Sequence, residues 1–287
     1  MKINPVYRQE TKVSARSFRL PLVILVCNSV LALAGLLDMY FMVSQVKATA
    51  EIQYSGFLSL YLFVAAIEFT MLLLIVPALT AGSISGERER QTLNLLLTTP
   101  MTAGDIVAGK LTASLSTVFL LIISSFPILS LVFIYGGVTA ADIAMVLFCF
   151  SSTALLASCI GLCCSCVFKK TTMATAVSYC VMAVLVFGTF ALSSFISSFG
   201  KAPGQRGSSG TGPCWLLLGN PAASFAMIIK KQVGGSRTVP VLLTLPYGMT
   251  EYGWVMISMT VQILMAVLCL WIAVRRVNPR RKKGWKM

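Results

Sequence analysis

Six apolar runs dominate this chain, at about residues 20–43, 57–79, 106–134, 143–167, 173–199 and 253–274. Each exceeds the ~20 residues that a helix needs to cross about 30 Å of hydrocarbon. Runs of that length leave few folds open. In lipid, every backbone polar group must find an internal partner, so long apolar runs become helices. Composition agrees: 57% of the residues are hydrophobic and 11% charged, against about 25% charged in a soluble domain. The expectation is an all-α membrane protein, one transmembrane domain over 1–287. The run after the basic N-terminus is too long for the core of a signal peptide and reads as a retained first span.

The net charge is +14. The basic residues gather at the ends of the apolar runs, which suits membrane topology and anionic headgroups. No basic stripe with interleaved aromatics lies on a soluble segment, so nucleic acid is excluded as a partner. With the N-terminus inside, 17 of the 23 Lys and Arg residues fall on inner segments. The other six (Lys47, Lys201, Arg206, Lys230, Lys231 and Arg237) fall on outer ones. That bias puts both termini in the cytoplasm, with residues 1–19 as an interfacial helix and 275–287 as a basic tail.

Nine cysteines are present, all but Cys214 in apolar runs, where they read as small hydrophobes. Cys163, Cys164 and Cys166 lack the paired spacing of a zinc site, and the chain has no histidine. No metal site is expected. Nor is catalysis: intramembrane acids are not paired, and no serine nucleophile has a partner base. Gly104–Leu111 nearly matches a phosphate loop, but Leu111 replaces the hydroxyl that would hold magnesium. Lys110 reads instead as the cytoplasmic edge of the third span.

Thr102 with Asp105, and Thr139 with Asp142, fit capping boxes that open the third and fourth spans. Asn220-Pro221 reads as an N-cap followed by a proline in the first turn, opening a short helix to about Gln232 within an outer loop at 200–252. Val239–Pro246 is short and broken by prolines, so a surface or re-entrant segment suits it better than a span. Glu68, near the middle of the second span, is a candidate intramembrane polar site. It serves either a polar helix–helix contact or the handling of substrate or protons.

The segment 83–100 is the polar anomaly. Ser85 is placed to cap a helix whose first turn holds Glu87 and Glu89, followed by Arg88, Arg90 and Thr92. Leu93, Leu96 and Leu97 share a face, and Pro100 ends the helix. The pattern alone leaves two readings open, a helix lying in the headgroups and a docking element for a soluble partner.

The run Pro77-x(5)-Ser83-Ile84-x-x-Glu87-Arg88-Glu89-x-x-Thr92-Leu93-x-x-Leu96-Leu97-x-Thr99-Pro100, followed by Asp105-Ile106-Val107-x-Gly109-Lys110, resembles the signature of ABC-2 type transporter permeases. The opening Asn4-Pro5-Val6-x-x-x-Glu10, the loop with Asn220-Pro221 and the basic tail resemble the same family. The resemblance implies a bacterial exporter subunit of type V exporter-like architecture, in the cell membrane, with a cytoplasmic coupling helix at 83–100. It implies a second permease chain, identical or not, and a separate ATPase subunit that alone binds ATP and magnesium. On this analogy Glu87, Arg88, Glu89 and Arg90 make ionic contacts with the ATPase, while Leu93, Leu96 and Leu97 fill its groove or pack against the other inner helix. Two other classes remain: a six-span channel, which would conduct without nucleotide, and a non-transporting membrane regulator of an ATPase.

Overall fold

The computed structural model describes residues 5–49, 55–92, 102–135, 139–199, 214–232 and 250–277. Among them the fold is helical throughout, with no strand. The helices are α1 (Pro5–Arg16), α2 (Arg19–Thr49), α3 (Ser55–Ala81), α4 (Ser85–Glu89), α5 (Ala103–Tyr135) and α6 (Ala140–Val167). They continue as α7 (Thr171–Ala183), a π-helical segment (Val184–Gly188), α8 (Thr189–Phe199), a 3-10 turn (Cys214–Gly219), α9 (Pro221–Gln232) and α10 (Glu251–Val277). Six helical stretches are long and apolar enough to span a membrane, Leu20–Phe41, Leu60–Glu89, Ala103–Leu129, Ala140–Val167, Thr171–Ser198 and Glu251–Val277. Each overlaps one of the six apolar runs. We call the end of the bundle bearing α1 and α4 proximal and the opposite end distal.

α6 is the central post. It packs against α3, α5, α7, α9 and α10. Of its most apolar window 67% is buried, against 17% for α2 and for the α7–α8 span. The outer helices therefore show their apolar side chains to their surroundings, as α2 does with Leu25, Leu33 and Leu36. α6 meets α3 through small residues: Ala157 and Ser165 are buried on either side of Gly161 at four-residue spacing. A Cβ built on Gly161 would lie 2.0 Å from Thr80 Oγ1. The two backbones touch there because glycine leaves room, the usual way helices associate in lipid.

Both capping boxes form. Thr139 Oγ1 accepts from the Asp142 N–H, and the Thr139 N–H donates to the Asp142 carboxylate. Thr102 and Asp105 repeat the arrangement at the start of α5. The expected helix after Asn220-Pro221 is α9, ending at Gln232. It is not a surface helix. Phe225 stacks on Phe69 of α3 with ring centres 4.5 Å apart, while Gln232 Nε2 donates to the Asp142 carbonyl at the distal start of α6. The chain from Cys214 thus dips into the bundle and returns. Val239–Pro246 lies outside the described residues.

Candidate functional site

The described part of the polar block, residues 83–92, takes a shape its leucine spacing did not foretell. After α3 ends at Ala81, residues 82–84 turn and α4 runs for only five residues. It stops in a Schellman arrangement: the Gln91 N–H donates to Arg88 O and the Thr92 N–H to Glu87 O. Gln91 sits at φ 59°, in the left-handed region. One continuous helix from Ser85 to Pro100 is therefore ruled out, because the ladder closes on itself at Glu89. Leu93, Leu96, Leu97 and Pro100 lie outside the described residues. Ser85 does not cap. It is buried inside the first turn, and its hydroxyl donates to Ala81 O. Ser165 of α6 does the capping from across the bundle. Its Oγ accepts from the Ile84 and Ser85 N–H groups, both at 2.9 Å, two donors that the break would otherwise leave unpaired.

Three consecutive charges then bind α4 to three different places. Glu87 accepts from Lys110 Nζ of α5 at 2.7 Å, and the same ammonium meets Glu10 of α1 at 2.8 Å. Lys110 is 4% exposed, so the residue expected to mark the edge of a span is a buried tie between α1, α4 and α5. Arg88 donates to the Cys166 and Phe168 carbonyls at the C-terminus of α6. Glu89 accepts from the Thr171 N–H and hydroxyl at the start of α7, both at 2.9 Å. Arginine at a C-terminus and glutamate at an N-terminus each oppose the local end of a helix dipole. Neighbouring residues of α4 thus read the two sides of the α6–α7 turn. Arg90 and Thr92 are exposed.

Glu68 is buried, and the Ser125 hydroxyl of α5 donates to its carboxylate. One helix away, Asn28 of α2 donates to Ser124. The structure thus joins Glu68 to a helix–helix contact, and among the described residues no group of several acids surrounds it. A second polar cluster holds the re-entrant turn. Asn220 Nδ2 donates to Val186 O and Thr189 Oγ1, and Asn220 Oδ1 accepts from the Ala222 N–H as an N-cap. Gln262 of α10 donates to Ser224, and Ser258 donates to Leu218 O. Among the described residues no group of three His, Cys, Asp or Glu is arranged to hold a metal.

The sequence reading missed Ser165, Gly161 and the burial of Lys110. The small residues every four positions in α6 were the available signal for the first two. Nothing local announces a capping hydroxyl supplied from 80 residues away.

The profile of the family described as "ABC-2 family transporter protein" matches residues 5–275. No curated relative matches the sequence significantly. The chain belongs to the ABC-2 transporter membrane family. It is a multi-pass membrane component of a transporter, and the described helices carry the fold of that membrane domain.

Proposed function

We propose that this chain is the permease subunit of an ABC exporter, driven by a separate ATPase that binds ATP and magnesium. Two permease chains form the working unit. The proximal end is cytoplasmic, in a bacterial cell membrane, which follows the bias of Lys and Arg toward that end. The observation that carries the reading is α4. A helix of five residues bound to α5, α6 and α7, and through Lys110 to α1, cannot shift without pulling on all four elements. A push delivered there reaches the inner ends of the spans as a near-rigid displacement.

This changes the division of labour within 83–100. Glu87, Arg88 and Glu89 hold α4 to its own bundle. Contact with the ATPase then falls to the exposed Arg90 and Thr92 and to the leucine segment ending at Pro100. The test is co-purification with candidate ABC ATPases of the same genome, followed by ATP hydrolysis in nanodiscs. A stable, hydrolysing complex is expected. Charge reversal at Arg90 should weaken assembly, while reversal at Glu87 and Glu89 should leave assembly standing but uncouple hydrolysis. Absence of ATPase activity from every complex would overturn the reading. So would full assembly and coupling in a variant reversed at all three positions.

A further inference from the structure

A cavity of about 350 Å³ lies at the proximal end, walled by α1, α2, α3 and α5. On α5 it follows one stripe from Lys110 through Ser114 and Thr117 to Leu121. Eleven residues at 1.5 Å rise make that about 16 Å, from the headgroup level of α1 into the depth of the spans. Its two ends differ. Glu10, Thr11, Ser14 and Lys110 line the mouth, whereas Leu20, Val23, Leu79 and Leu121 line the walls. An amphiphile with a polar head and an apolar body fits such a gradient.

The chemistry of the head follows from what the polar end has left to offer. Lys110 already donates to two carboxylates, so it is a poor anchor for a phosphate. Apart from Ser14, the hydroxyls are spent as donors too. Thr11 donates to Tyr7 O, Ser83 to Thr80 O, Ser114 to Leu111 O and Thr117 to Ala113 O. What remains toward the cavity is acceptor capacity: hydroxyl lone pairs and the carboxylate of Glu10, whose side chain is 41% exposed. Of the two charged residues in the lining, Lys110 is taken up by two carboxylates, while Glu10 engages only its Oε1 and keeps its second oxygen. An acceptor-rich lining in which the one charge with capacity left is a carboxylate favours a cation with several N–H donors.

We propose that this cavity binds an aminophospholipid of the proximal leaflet, with its primary ammonium at Glu10 and its upper acyl region against Leu20, Val23 and Leu79.

The experiment is native mass spectrometry of the detergent-purified chain with equimolar dioleoyl phosphatidylethanolamine, phosphatidylcholine and phosphatidylglycerol. Choline keeps the positive charge but has no N–H donor, and glycerol removes the positive charge and leaves the lipid net negative. About tenfold greater retention of the ethanolamine lipid over the choline lipid is expected. Glu10→Gln should cut that preference several-fold, and Ala113→Phe should abolish it by filling the cavity. Leu20→Trp closes the same space from α2 and serves if Ala113→Phe does not give a monodisperse, helical protein. Equal retention of the ethanolamine and choline lipids, a lead for the glycerol lipid, or a preference that survives in the blocked variants would overturn the proposal.

Discussion

At the proximal end the break between α3 and α4 is capped by one neutral hydroxyl, Ser165, and tied to its neighbours by ions, whereas the re-entrant turn at Asn220 is held by neutral amides and hydroxyls alone. Both repair the same defect, a helix interrupted where its backbone groups would lack partners. Beside Ser165, the proximal break recruits Glu87, Arg88 and Glu89, which keep access to water, and the buried Lys110. The turn dips toward Phe69 in the middle of α3, where a charge would cost several kcal/mol, and it recruits Asn220, Ser224, Ser258 and Gln262 instead. Depth thus sets the chemistry of the repair. Ion pairs also bring salt sensitivity and response to an external charged partner, which neutral bonds do not.

The comparison can be broken, most forcefully, at the crossing beside the proximal break. Gly161→Val should cost about 3 kcal/mol or more, because its Cβ meets Thr80 where no flexible end can yield. The expected result is a large fall in thermal midpoint in detergent, partly restored by adding Thr80→Gly. Lys110→Met comes next. It leaves Glu10 and Glu87 without their shared partner and should cost about 2 kcal/mol, since both acids keep some access to water. Raising NaCl from about 0.05 M to about 1 M should lower the midpoint of the wild type and leave that of Lys110→Met nearly unchanged. An equal response in both proteins would sink the idea of an ionic lock.

In the distal region Asn220→Ala should cost about 1–2 kcal/mol, the range for polar contacts between helices in lipid. Its cost should not change with salt. Hydrogen exchange should rise in α9 while α4 stays protected. The smallest effects belong to the capping boxes. Thr102→Ala and Thr139→Ala should each cost about 1 kcal/mol, and equally, because both caps lie near water whatever the end. A clear asymmetry between them would mean that the two ends differ by more than depth.

The spans were legible because hydrocarbon demands length and apolarity, and both are written residue by residue. The caps at Thr102 and Thr139 were legible because their partners lie three residues away. α9 was legible in extent, from Asn220-Pro221 to Gln232, but not in place. Its apolar face at Phe225 and Ile228 suits a surface and a bundle equally, and only the partner Phe69 decides. Around α4 the charges were seen but not what they bind. Glu87, Arg88 and Glu89 find partners 23 to 82 residues onward in the chain, and no local pattern encodes such pairings. Lys110 looked like an edge marker for the same reason.

Those long separations have a consequence for how the protein is made. The chain is synthesised from its N-terminus, so Glu10 and Glu87 both exist before Lys110 can neutralise them. The C-terminus of α6 and the start of α7, which take up Arg88 and Glu89, follow later still. During insertion α4 therefore waits, charged and unattached, for spans not yet translated. Its final position is a checkpoint: it closes only when four of the six spans are in place and the fifth has begun.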